Sequence, residues 1–232
     1  CEVRDNLGGN GVFLSGSALV IATGVFSNCI FEGNMRGAKL FFNCPSAFED
    51  CLFSENGGSG TGLGGGLRVD TCSLSIITNS TFYSNQAAYG GAMSGKRVEL
   101  SGCTFAGNVA TAGDGGALYI ADNTCLVSLE ATGTRFYGNS SSGSGGAVMV
   151  ATAGTVDLDQ CVFLENSATG DGNAVHVSSD LTASRSWFCA NTSIAGLGGA
   201  IDGAVIAIAA QILGLVVEGI VGDQPIGQIK NQ

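Results

Sequence analysis

The sequence predicts an all-β solenoid, a single-stranded parallel β-helix with three short strands per coil, and three observations carry that prediction. First, Phe-x-x-Asn occurs seven times, at Phe31/Asn34, Phe53/Asn56, Phe82/Asn85, Phe105/Asn108, Phe136/Asn139, Phe163/Asn166 and Phe188/Asn191. Second, a Gly-Gly-Ala-like triplet accompanies the phrase. It is intact at Gly90-Gly91-Ala92, Gly115-Gly116-Ala117, Gly145-Gly146-Ala147 and Gly198-Gly199-Ala200, altered at Gly64-Gly65-Gly66 and Gly172-Asn173-Ala174, and reduced to Gly37-Ala38 in the first copy. Third, the residues around these landmarks alternate with the period of two that marks strands, and no unit shows a helical period. A phrase repeated every 22 to 31 residues means stacked units.

The first strand of each unit ends in Phe. Two places earlier stand the small residues Cys29, Cys51, Ser80, Cys103, Thr134, Cys161 and Ser186, which share a face with Phe because alternate strand residues do. The residues between them, from Ile30 and Leu52 to Arg135 and Trp187, vary in size and charge and read as the outside. The second strand follows the triplet, as in Leu118-Tyr119-Ile120 and Val175-His176-Val177, with its first and third residues inward. Lys39 breaks this rule, so either the register slips there or the first coil is atypical. A third strand precedes the next Phe strand, as Val98-Glu99-Leu100, Val127-Ser128-Leu129 and Val156-Asp157-Leu158.

The motif residues then acquire mechanical roles. Gly-Gly allows a turn with positive φ and close backbone approach. Phe residues stack along the interior. The Asn residues stack as an amide ladder that satisfies polar groups otherwise buried unpaired.

Phe-x-x-Asn paired with Gly-Gly-Ala-Ile/Leu/Val resembles the repeat region of the chlamydial polymorphic membrane proteins and related right-handed β-helix proteins, over about residues 28 to 203. That resemblance implies a right-handed, extracellular β-helix of the adhesive autotransporter-passenger kind.

The expected organisation is a parallel β-helix over 1–203 in about seven to eight coils, then an apolar segment over 204–232 that caps the stack or mediates assembly. The apolar run from Ala204 to Val221 carries only Gln211 and Glu218 as polar residues, and membrane contact is expected nowhere except through it. A start at Cys1 without a charged-then-apolar leader reads as a processed product.

A net charge of −10 argues against nucleic acid and anionic lipid as partners. Nine cysteines and a Gly/Ser/Thr/Asn-rich composition point to a secreted or cell-surface protein. Cys29 with Cys51, and Cys44 with Cys72, occupy equivalent places in adjacent coils and are candidate disulfides; the alternative is a column of buried thiols. Sequons at Asn79, Asn139 and Asn191 are candidate N-glycosylation sites.

No metal-ligand or cofactor spacing is evident, and no cofactor is expected. Asp114 and Asp171 lie two coils apart at turns, which suits an inverting carboxylate pair as well as ordinary Asp-Gly turn chemistry. His176 stands alone in an outward column beside Met149 and Asp202. The expectation is a non-enzymatic structural or adhesive module that self-assembles end to end or binds a surface glycan or cell-surface ligand. The alternative is a carbohydrate-active or polysaccharide-binding β-helix.

Overall fold

The computed structural model describes residues 1–5, 10–15, 24–41, 46–57, 62–70, 72–122, 124–178, 180–193, 199–202 and 205–211, with 10–15, 36–41 and 205–211 described by backbone alone. Every strand pairing among them is parallel, and each links a coil to the next. The result is an all-β parallel solenoid in which the described residues form no helix.

Three sheets run along the stack, two of them from its first coil. One carries the Phe strands, such as Thr81–Tyr83 and Thr104–Ala106, together with the strands that precede them, such as Ser75–Thr78 and Arg97–Ser101. These two rows become one sheet because Asp180–Cys189 runs unbroken across the corner, pairing with Gly154–Asp159 by its first half and Val162–Leu164 by its second. A second sheet carries the strands after the glycine triplets, such as Leu118–Ile120 and Val148–Val150. A third consists of two-residue strands directly after the Asn, from Gln86–Ala87 to Thr192–Ser193, an extra segment beyond the three expected per coil.

Phe31, Phe53, Phe82, Phe105, Phe136, Phe163 and Phe188 pair in register and are almost completely buried. Successive ring centroids lie 4.5 to 5.1 Å apart with interplanar angles of 2 to 10°. That separation is set by strand spacing and exceeds ring contact distance, so the rings stack offset, the arrangement their quadrupoles favour. Phe26 and Phe48 form a second short stack that meets Phe31 and Phe53 edge-on. Ile77, Leu100, Ala131, Leu158 and Ala183 continue this second column.

One expectation of register is corrected, and of the two alternatives left open at Lys39 the register slip is the one found. Leu129 pairs with Val98, and Leu100 pairs with Ala131, so Val127-Ser128-Leu129 is displaced by two residues from its expected partner. Inward and outward faces survive, because a slip of two preserves the side-chain period. Lys39 pairs with Arg68 and Ala38 with Leu67, so the first copy slips by one at its shortened triplet.

Three corners per coil bend the chain through left-handed backbone. Residues three before each Phe all have positive φ: Asn28, Asp50, Asn79, Gly102, Gly133, Gln160 and Arg185. So do the residues two after it: Gly33, Glu55, Ser84, Gly107, Gly138, Glu165 and Ala190. The first triplet glycine supplies the third corner, with φ of +67° at Gly115. Its neighbour Gly116 is required for space, since a Cβ there would sit 2.1 Å from the carbonyl oxygen of Gly146 in the next coil.

Of the 204–232 segment, Val205–Gln211 extends the stack as a strand parallel to Asp180–Cys189; residues 212–232 lie outside the described residues. No helix among the described residues is long and apolar enough to cross a membrane.

Candidate functional site

Asn34, Asn56, Asn85, Asn108, Asn139, Asn166 and Asn191 form one continuous buried ladder. Each side-chain amide nitrogen from Asn34 to Asn166 donates to the Oδ1 of the next Asn at 2.9 to 3.0 Å, and the same Oδ1 accepts the backbone N–H of the donor residue. The amides also donate back to the Phe carbonyl of the preceding coil, as Asn108 does to Phe82 at 3.0 Å. This geometry overturns the glycan expectation at two sequons. The Asn139 amide is bonded to Phe105 O and Asn166 Oδ1, and the Asn191 amide to Phe163 O, so neither has room or a free nitrogen for a sugar. Asn79 is exposed at a corner.

The small column two before Phe works as a set of corner clips. Ser80, Thr134 and Ser186 hydroxyls accept the backbone N–H of Cys51, Cys103 and Cys161. The thiols point at carbonyls, Cys103 Sγ at Ile77 O (3.3 Å) and Cys161 Sγ at Ala131 O (3.3 Å). Burial pushes both thiols up to about 11, so they are neutral donors rather than nucleophiles.

Cys29 and Cys51 are likewise buried free thiols, which corrects the first candidate disulfide. Parallel Cβ vectors at strand spacing lie about 4.8 Å apart, beyond the range of about 3.5 to 4.5 Å a disulfide needs. Burial raises the Cys51 thiol, against the opposing backbone contacts of Cys29 and Glu49.

The second candidate pair is corrected as well. Cys72 bonds to Cys125, with Cα atoms 5.9 Å apart and a sequence separation of 53, while Cys44 lies outside the described residues. The two belong to coils two apart. Between them the intervening coil turns the same corner at Gly95-Lys96-Arg97 with almost no loop, and the disulfide closes over it. The signal was present in the spacing: Cys125 stands eleven residues before its Phe, Cys72 ten and Lys96 nine.

Asp122 organises this corner. Its Oδ2 accepts from Thr124 Oγ1 at 2.6 Å and from the Cys125 backbone N–H at 2.9 Å, and lies 2.8 Å from Cys125 Sγ and 3.9 Å from Cys72 Sγ. Its Oδ1 meets Lys96 Nζ at 3.1 Å, with both side chains largely buried. A shallow depression lined by Asp122, Thr124, Cys125, Leu126, Thr152 and Ala153 opens beside it. Among the described residues this is the one group of Cys, His, Asp and Glu whose donor atoms converge closely enough to hold a metal ion.

Several other charged residues make contacts within the scaffold. Asp114 Oδ1 accepts the Ser144 N–H at 2.7 Å and Ser144 Oγ accepts the Asp171 N–H at 3.2 Å, so the Asp114 carboxylate and the Asp171 backbone belong to one turn ladder through Ser144. His176 Nδ1 lies 2.7 Å from Asp202 Oδ2, and Arg68 Nε 2.7 Å from Asp70 Oδ2. Ser94 and Met149 stand in the outward column yet are buried; at Ser94 the glycine turn of the coil before lies close, since a Cβ on Gly64 would touch Ser94 Oγ at 2.9 Å. Arg185 and Ser184 clamp Asp159 and hold its carboxyl well below the ordinary range, at about 2. The Phe sheet presents Tyr83, Tyr137 and Trp187 outward, each about half exposed.

Comparison with known proteins adds a family. A stretch of 171 residues, 72% of this chain, is 28% identical to a Dictyostelium discoideum protein named metabotropic glutamate receptor-like protein R; the chain spans about a tenth of that relative's length. The solved structure of trypsin-treated QnrB1, a plasmid-mediated fluoroquinolone resistance protein, is 14% identical and aligns over 89% of this chain and 91% of its own, but at a TM-score of 0.28 it carries no argument. The family model described as right handed beta helix region matches residues 1–129 and 64–206. Matched over most of its length, and built of stacked parallel coils, the chain belongs to the right-handed β-helix family.

Proposed function

We propose that this β-helix is a non-enzymatic structural or adhesive module, secreted or held at a cell surface, that binds a cell-surface or glycan ligand along its Phe-sheet face. The observation that carries the reading is how the repeat is used. Phe, Asn and the glycines are consumed by the interior, while the sheet outside them offers Tyr83 and Tyr137 in one column two coils apart, roughly 10 Å, with Trp187 one column over. Exposed aromatic side chains at regular spacing suit a binding face better than a catalytic cleft.

The Cys72–Cys125 disulfide supports an oxidising compartment. The printed name of the Dictyostelium relative, receptor-like, fits a surface setting. Assembly into a filament or surface layer extends the same reading, since parallel coils add by backbone pairing; sedimentation showing one monomer size at all concentrations removes that extension.

The rival reading is a polysaccharide-binding or carbohydrate-active β-helix; the exposed aromatics suit its binding form as well, but not its catalytic one. Pull-down on a panel of insoluble polysaccharides and on intact cells, with release of reducing sugar measured alongside, separates the two. Binding lost in the Tyr83→Ser/Tyr137→Ser/Trp187→Ser variant, without sugar release, is expected. Sugar release by the intact chain replaces the adhesive reading with the enzymatic one, and retention of binding by the variant removes the Phe-sheet face as the site.

A further inference from the structure

We propose that the Cys72–Asp122–Cys125 corner, once its disulfide is reduced, is a binding site for a thiophilic divalent cation of the zinc class, so that the corner holds its coils either by a covalent bond or by a metal. The inference uses none of the outward aromatic face on which the adhesive reading rests; it shares with that reading only the Cys72–Cys125 disulfide, and concerns the reduced form of the chain.

The donor set is the first argument. Two thiolate sulfurs and one carboxylate oxygen are ligands that suit zinc and leave a fourth, tetrahedral position for solvent. The three donor atoms already lie within 4.8 Å of one another. Zinc–sulfur bonds of about 2.3 Å and zinc–oxygen bonds of about 2.0 Å are of the scale that donors this close can reach around one ion.

The surroundings are the second. Asp122 does not hang free: Thr124 Oγ1, the Cys125 N–H and Lys96 Nζ fix its carboxylate, as outer partners fix metal ligands elsewhere. Two thiolates and a carboxylate around a divalent cation leave one net negative charge. The Lys96 ammonium, 3.1 Å from Asp122 Oδ1, balances it. The depression beside Cys125 supplies a route in for the ion and room for the solvent ligand.

The topology is the third. Cys72 and Cys125 come from coils two apart, and the Lys96 corner between them is too short to obstruct. A metal bridging the two sulfurs therefore replaces the disulfide without threading the chain differently.

The step balances as follows. A phosphine breaks the Cys72–Cys125 bond by giving it two electrons and leaves as its oxide, one water supplying the oxygen and the two protons that complete the thiols; a dithiol does the same by closing its own disulfide and handing over its two protons. The cation then displaces those two protons to solvent as it takes both sulfurs.

The test uses the intact chain. Oxidised protein and protein reduced with a phosphine, freed of reductant without air, are titrated with zinc alone against a chromophoric chelator. Cobalt in place of zinc reports sulfur ligation through its thiolate charge-transfer band. Expected are one equivalent bound by the reduced chain, none by the oxidised chain, loss of binding and of the cobalt band in Cys72→Ser/Cys125→Ser, and at least tenfold weaker binding in Asp122→Asn. Asp122→Asn keeps both thiols and the disulfide option, so it reports even where the double variant folds poorly. Binding of equal strength by the reduced Cys72→Ser/Cys125→Ser chain assigns the ion to other thiols and overturns the proposal, as does a reduced wild-type chain that takes up no cation.

Discussion

The interior Asn ladder and the Cys72 corner hold the same coils together by opposite means. In the ladder every coil contributes the same residue, every bond joins nearest neighbours, and no link is covalent. At the corner each coil contributes something different, Cys72, Lys96 or Asp122 with Cys125, and the strongest link skips a coil. Nearest-neighbour coupling is what allows a solenoid to add or lose coils with little change in local structure. The corner does the reverse: it specifies one particular trio of coils in one order. Repetition thus builds the rod, and its irregular corners make it this rod and no other.

Breaking the ladder should have the largest effect. Asn108→Ala removes the acceptor for the Asn85 backbone and side-chain N–H groups and the donor to Phe82 O and Asn139 Oδ1, all buried. A loss of about 4 kcal/mol is expected, read from the shift in denaturant midpoint. A loss under about 1 kcal/mol would mean that water replaces the amide and the ladder is not the binding element described above. Opening the corner comes next. Closing a loop of this length is worth up to about 4 kcal/mol in the chain-entropy account, and measured values often fall short. Cys72→Ser should therefore lower stability by about 2 to 4 kcal/mol, and a phosphine reductant should lower wild type similarly in metal-free buffer. If the reductant leaves the wild-type midpoint unmoved, the disulfide is not what fixes these coils.

The smallest effect lies on the surface. Arg185 and Ser184 depress the Asp159 carboxyl to about 2. A depressed carboxyl contributes stability that is present above its ordinary value near 4 and fades as pH falls towards 2. Arg185→Gln should raise the Asp159 titration midpoint towards the ordinary range by carboxyl-carbon NMR. Because the pair is exposed, stability at neutral pH should hardly change.

What the sequence disclosed follows from how strictly each position is constrained. The interior admits one shape per column, so Phe and Asn recur without exception and mark the coil by themselves. The corner columns flanking Phe are uniform in backbone and mixed in side chain. Left-handed backbone costs a non-glycine residue about 1–2 kcal/mol, and an exposed position tolerates this, so Asp50, Gln160, Arg185 and Ala190 stand where Gly102 and Gly138 do elsewhere. A reader looking for invariant residues passes over such columns. The two-residue strand after Asn is too short to show a period. The disulfide is hidden for a different reason: equivalent positions point to the adjacent coil, whereas the real partner of Cys72 lies one coil further, in a loop of different length. Asn139 and Asn191 show the converse hazard, a short motif satisfied in sequence by residues whose side chains the fold had already engaged.

The clip over the Lys96 corner also bears on how the rod yields to force. A solenoid pulled from its ends peels coil by coil, each released segment adding its extended length to the tether. Oxidised, the Cys72–Cys125 bond withholds the 53-residue span from that extension, about 180 Å of chain at roughly 3.4 Å per residue. The same molecule is therefore shorter under load when oxidised, and stretching it in the presence and absence of a reductant would read the difference directly as missing length.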